Sequence, residues 1–207
     1  MRSVEDRLLR SLRAQGRGAV VTPRDFLQWG TRAAVDKALS RLVERGALRR
    51  VGRGVYDLPR TNPLVGPLSP DPEQVAQALA RNGAQRLLPN KALAANQLGL
   101  TEQVPAKMEF LTDGPTRTRW VENLPVVLKR TTPRNVATAG RVTGTVMQAL
   151  RFFGPKKIDE IVVQRLRDRL SPADKQQLLR DIRLVPAWIG EVFRKISAEP
   201  GSARKTT

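Results

Sequence analysis

The sequence of 207 residues contains no cysteine and no histidine. Disulfides, zinc sites of the Cys/His kind, cysteine nucleophiles and histidine-based triads are therefore excluded. Aromatic residues are few: three Trp, one Tyr and five Phe. No run of about 18 apolar residues occurs, so no segment is predicted to span a bilayer. The opening MRSVEDRLLRSLRAQ is charged and amphipathic and lacks the apolar centre of a signal peptide. The expectation is a soluble, cytoplasmic protein. Neither an Asp-x-Lys nor a Glu-x-Lys pattern of the nuclease kind occurs, nor a Gly-x-x-x-x-Gly-Lys run. The expectation is a protein that is not an enzyme and needs neither cofactor nor metal.

Acidic residues are also scarce. Nineteen face 37 Lys and Arg, for a net charge of +18. Such an excess favours a polyanionic partner, because binding releases condensed counterions. An anionic membrane surface would call for a basic amphipathic helix with aromatics. Nucleic acid is the better match. The charge is uneven: residues 1–60 hold 14 basic and 6 acidic residues, nearly twice the net charge per residue of the remainder.

Residues 3–14, SVEDRLLRSLRA, are predicted to form a helix with Ser3 as N-cap and Asp6 in its first turn. A short β-run follows at 18–22. A second short helix, PRDFLQWG at 23–30, offers Phe26, Leu27 and Trp29 to the core. The clearest helix is TRAAVDKALSRLVERG, 31–46. Val35, Ala38, Leu39, Leu42 and Val43 fall on one face, and Lys37, Ser40 and Arg41 on the other. GALRRVGRGVYDLP, 46–59, then reads as a β-hairpin turning at Gly52-Arg53-Gly54, with both glycines expected to supply positive backbone angles.

Helix, strand, short helix, helix and hairpin make the order of a winged helix-turn-helix. The second helix of the turn pair would enter the major groove of double-stranded DNA, and the hairpin would reach the backbone or the minor groove. The candidate DNA-binding residues are Thr31, Arg32, Lys37, Ser40, Arg41, Arg49, Arg50 and Arg53. Thr31 and Arg32 mark the helix N-terminus, where backbone amides favour phosphate. Strand alternation puts Arg49 and Arg50 on opposite sides. An ordinary solvated face is the other reading of these residues. Tyr56 is read as a packing residue.

Beyond residue 60, TNPLVGPLSPDP at 61–72 is read as a Pro-rich linker. Helices are predicted at 71–83, 91–99 and 143–153, with three more towards the C-terminus. Strands at 106–112, 117–121 and 125–131 would form a small antiparallel unit. The expected class is α+β: a winged helix-turn-helix at 1–60, a mixed domain with C-terminal helices at 73–197, and a disordered tail at 198–207. Lys129, Arg130 and Arg134 form a further basic cluster, either more nucleic-acid surface or a charged strand edge.

ALSRLVERGALRRVGRGVYDLP resembles the N-terminal winged helix of AbiEi-type antitoxins, which belong to type IV abortive-infection toxin–antitoxin systems. Leu39, Leu42, Gly46, Leu48, Arg50, Gly54 and Tyr56 take the places of that pattern. ALAANQLGLTEQVPAKMEFLTDGPTR, 92–117, is similar to a segment of a related bacterial group, as are QALRFFG and PAWI. Asn90-Lys91 departs from it, where relatives carry a small residue and glycine. The resemblance implies a repressor that binds inverted repeats in its own promoter. It also implies an antitoxin that counters a nucleotidyltransferase-like toxin without a stable complex. A stand-alone winged-helix regulator and a nucleic-acid-processing accessory enzyme are the alternatives.

Overall fold

The computed structural model describes residues 3–103 and 105–198. Except for Ala198, the expected tail at 198–207 lies outside them. The class is α+β, with small antiparallel sheets and a helical C-terminal region. No helix among the described residues is long and apolar enough to cross a membrane.

The chain divides into two compact units. The first comprises 1–85, 106–110 and 114–130; the second comprises 86–105, 111–113 and 131–207. The first opens with α1 (Val4–Gln15) and β1 (Val20–Val21). A 3₁₀ helix (Pro23–Trp29) and α2 (Arg32–Glu44) follow. Next come β2 (Arg49–Gly52), β3 (Val55–Asp57), β4 (Thr61–Asn62), β5 (Gly66–Pro67) and α3 (Pro72–Asn82). In the second unit lie β6 (Leu87–Pro89) and α4 (Lys91–Gln97). The chain then forms β7 (Met108–Thr112) and returns to the first unit for β8 (Arg117–Val121) and β9 (Leu124–Arg130). It ends in the second unit with α5 (Val142–Phe153), α6 (Glu160–Arg169), α7 (Pro172–Arg180) and α8 (Ala187–Ser197).

Local signals start and stop α1 as expected. Ser3 Oγ accepts the Asp6 amide at 3.2 Å, and the Asp6 carboxylate accepts the Ser3 amide at 3.3 Å. This reciprocal cap supplies partners for two amides at the helix start. Leu8 and Leu12 of α1, Phe26, and Val35, Leu39 and Leu42 of α2 form one core with Val21, Leu48 and Tyr56. Each such side chain contributes roughly 1.5–3 kcal/mol through burial. β1, β3 and β2 form an antiparallel sheet in that order. The Ala47 and Leu48 amides both donate to the Leu42 carbonyl, at 2.9 and 3.1 Å, so the hairpin is joined directly to the end of α2.

Three sequence-based expectations change. Leu27 is exposed, at 43%. The short helix is 3₁₀ rather than α, and its three residues per turn place Leu27 on a different face from Phe26. Trp29 does stack on Phe26, with ring centroids 5.4 Å apart. The stretch 61–72 is no free linker. It forms the β4–β5 hairpin, the Arg49 guanidinium donates to the Leu68 carbonyl at 2.9 Å, and the Ser69 hydroxyl donates to Glu122 at 2.5 Å. The division at 61–72 therefore gives way to a first unit that runs on through α3, which packs against β1, β3 and β9.

The second unit has its own core, built from Leu88, Ala94, Val146, Leu150, Val163, Leu166, Ile189 and Phe193 among others. Asp181 is buried beside it. Its carboxylate accepts from Arg141 at 2.9 Å, Thr143 Oγ1 at 2.8 Å and Gln177 Nε2 at 2.9 Å. Burial pushes this carboxyl up, but the three donors outweigh burial and hold it below the usual range. Its folded-state pKa is thus below the unfolded one. Its stabilising contribution is complete above the unfolded value, about pH 4, and is lost as pH falls through the folded value. Asp113, lowered chiefly by its hydrogen bond from Arg86, acts in the same window. Acid titration followed by circular dichroism should show the second unit losing stability below about pH 4. The loss should be shallower in Asp181→Asn.

Candidate nucleic-acid interface

The core-facing residues of α2 leave Lys37, Ser40 and Arg41 exposed on adjacent turns. Thr31 caps the helix, its hydroxyl accepting the Ala34 amide at 3.3 Å. Arg32 is exposed but paired with Asp36 at 2.9 Å, one turn along. Such an exposed pair is worth little and exchanges readily. Asp36 is the acid closest to Lys37 on this helix, and Arg32 already neutralises it. No partner forms on the side chains of Lys37, Ser40 or Arg41 among the described residues.

The hairpin corrects the sequence reading at two positions. Arg49 pairs across the sheet from Asp57, which is 1% exposed. Its Nε and Nη2 donate to the two carboxylate oxygens at 3.0 and 2.6 Å, while Nη2 also reaches Leu68. The hydrogen bond to Asp57 raises the Arg49 pKa above its ordinary value despite burial. Arg49 is thus an internal clamp and not an outward cation. Of the two turn glycines, only Gly54 has a positive φ, +69°; Gly52 does not. A register shift between Arg50 and Gly52 absorbs the irregularity instead. Arg50 and Arg53 are exposed and have no side-chain partner among the described residues. Tyr56 packs into the core at 7% exposure, as expected.

Asp57 is the residue that sequence reasoning missed. Its signal was an acid between Tyr56 and Leu58 in an otherwise apolar strand. Two other acids around the interface are also engaged, whereas Glu44 at the end of α2 is exposed and unpaired among the described residues. Glu5 pairs with Arg45, and Asp25 caps the 3₁₀ helix at Thr22 and lies 3.7 Å from Arg81. Lys129 and Arg130 are exposed at the end of β9 in the first unit, and Arg134 is exposed in the second. No group of three or more acids, His or Cys able to hold a metal occurs among the described residues.

A family model described as a family of unknown function, DUF6088, matches residues 7–178. The chain belongs to the DUF6088 family. The matched span begins within α1, contains α2 and the hairpin, and continues almost to the end of α7. A crystal structure of the Rv2827c protein from Mycobacterium tuberculosis is also similar, at 18% identity over 95% of this chain and 83% of that one. Its TM-score of 0.37 is too low to bear on this chain's function. No curated protein matches. Within the DUF6088 span, two features singled out in the sequence have structural roles. Asn90 caps α4, its Oδ1 accepting the Leu93 amide at 2.9 Å. Asp113 of the Thr-Asp-Gly run holds Arg86 through both the backbone amide and Nε, at 2.9 and 2.8 Å.

Proposed function

We propose that this DUF6088 chain binds double-stranded DNA through a winged helix-turn-helix at its N-terminus and represses its own promoter in the cytoplasm. One observation carries the reading. In residues 3–60 the acids Glu5, Asp25, Asp36 and Asp57 are each paired with an arginine. Lys37, Arg41, Arg50 and Arg53 form no ion pair on α2 and the adjoining hairpin among the described residues, and against these four cations stands one unpaired acid, Glu44 at the end of α2. A cationic helix face joined to a cationic hairpin fits a duplex: the helix reads base edges, and the hairpin tip holds the backbone. Arg49 drops out of the contact set. Arg32 enters it only by leaving Asp36. The antitoxin role, against a nucleotidyltransferase-like toxin, rests on the resemblance of 39–56 and 92–117 to AbiEi-type proteins.

The first test is a mobility shift with the DNA upstream of the gene against a shuffled duplex. Preference for the upstream DNA supports a repressor, and equal binding refutes it. Lys37→Ala or Arg41→Ala should cost about 1–3 kcal/mol of that preference where the side chain makes a bidentate base contact. Arg53→Ala should weaken both duplexes alike. Loss of affinity in all three without any change in preference would remove α2 as the sequence reader. The antitoxin role is tested by rescue of cells that express the adjacent gene.

A further inference from the structure

A second charged feature lies in the first unit, at the other end of the β1–β3 pair from the hairpin tip. Where the chain leaves α1 and enters β1, the Gly18 amide donates to the Leu58 carbonyl at 2.7 Å. Beside this junction opens a cleft of about 410 Å³. Three arginines from separate segments converge on it: Arg17 after α1, Arg60 after β3 and Arg81 near the end of α3. Gln15 and Gln74 complete its polar wall, and Asp71 is its one acid. Asp71 is already engaged as the N-cap of α3, accepting the Glu73 amide at 2.9 Å.

The arginines are held in different ways. Arg17 donates to the Pro59 carbonyl at 3.2 Å, and Arg81 donates to the Val20 carbonyl at 2.8 Å. Arg60 crosses directly over Gly18. A Cβ at Gly18 would meet Arg60 Cδ and Nε at 2.9 Å, and the +90° φ there also favours glycine. The Arg60 side chain has no partner among the described residues. Three guanidiniums around one cleft repel each other; Asp71, together with Asp25 at 3.7 Å from Arg81 Nε, still leaves a local excess of positive charge. A multiply charged anion relieves this repulsion and can take several charge-assisted hydrogen bonds at once. The volume is that of a small-molecule site. The amides of Gln15 and Gln74 offer both donors and acceptors to whatever the anion is attached to.

We propose that this cleft binds a small phosphate ester of nucleotide size. Arg17, Arg60 and Arg81 take the phosphates, and Gln15 and Gln74 contact the remainder. The same phosphate chemistry is present in a DNA backbone, but the placement favours a free ligand. Strand β3 leads away from the Arg53–Gly54 tip, so the tip and the cleft lie at opposite ends of it. The site does not depend on the DNA-binding reading.

The test is calorimetric titration of the full chain with ATP, inorganic phosphate and a duplex of 16 base pairs. Arg60→Gln is the main variant, since that side chain is exposed and makes no hydrogen bond or ion pair among the described residues; circular dichroism confirms its fold. Arg183→Gln, exposed in the second unit, is the control of equal charge. The expected result is one ATP per chain, weaker binding of phosphate, and a loss of about ten-fold in ATP affinity in Arg60→Gln alone. Duplex affinity should be the same in both variants. Three results would overturn the proposal: no ATP binding at millimolar concentration, equal losses in Arg60→Gln and Arg183→Gln, or a loss in Arg60→Gln confined to the duplex. The last would assign the cleft to a DNA backbone. Failure of the duplex to bind at all would refute the repressor reading and leave the ATP result to be judged separately.

Discussion

Arg49→Ala should destabilise the first unit by about 3–5 kcal/mol, because it leaves a buried carboxylate without its partner. Asp57 is 1% exposed and receives two hydrogen bonds from Arg49, which is itself only 30% exposed. Removing the guanidinium also frees the Leu68 carbonyl, which ties the β5 side of the chain to the sheet. The comparison that isolates the ion pair is Arg49→Met with Asp57→Leu. Replacing both partners by apolar side chains should restore most of the loss, since neither charge then remains to be desolvated. Urea unfolding of the two variants would measure both effects. A loss below about 1 kcal/mol in Arg49→Ala would mean that the pair behaves like an exposed one. Arg49 would then be free to leave Asp57 and rejoin the DNA-contacting set.

The parts of this fold legible in the sequence are those governed by local spacing. The apolar stripe of α2 and the cap at Ser3 could be read directly, because a helix repeats within a few residues. The exposure of Lys37, Ser40 and Arg41 followed from the same stripe. What could not be read depends on partners distant in sequence. Alternation separates Arg49 from Arg50, but only the register with β3 shows that Arg49 meets Asp57. Strands of two or three residues, such as β4, β5 and β6, are too short to carry a period. The prolines of 61–72 suggested a linker, whereas Asn62 Oδ1 accepts the Leu64 amide at 2.8 Å and helps to turn that stretch into a hairpin. The return of 114–130 to the first unit rests on packing against α3 and β2, which no local pattern announces.

DNA affinity should fall steeply with salt, and the slope should count the cations that α2 and the hairpin present. Lys37, Arg41, Arg50 and Arg53 form no ion pair among the described residues, whereas Arg32, Arg45 and Arg49 are paired. If all four contact phosphate, log affinity falls with log salt at a slope of about −3.6 for each bound copy. Between 50 and 200 mM salt that is a loss of roughly 150-fold. Two copies on an inverted repeat would double the slope and bring the loss to about 20,000-fold, so the slope also reports how many chains bind. Residues that read bases instead of phosphates lower the slope without lowering the preference for the correct sequence. Arg53→Ala should make it shallower by about 0.9 per copy, while Arg49→Ala, measured where the variant remains folded, should leave it unchanged. Fluorescence anisotropy on a labelled duplex at four or five salt concentrations gives the slope for each variant. A slope shallower than about −1 in the unmodified chain would show that these cations do not face the phosphates. An Arg49→Ala slope reduced as much as that of Arg53→Ala would place Arg49 at the DNA and undo its assignment as the clamp on Asp57.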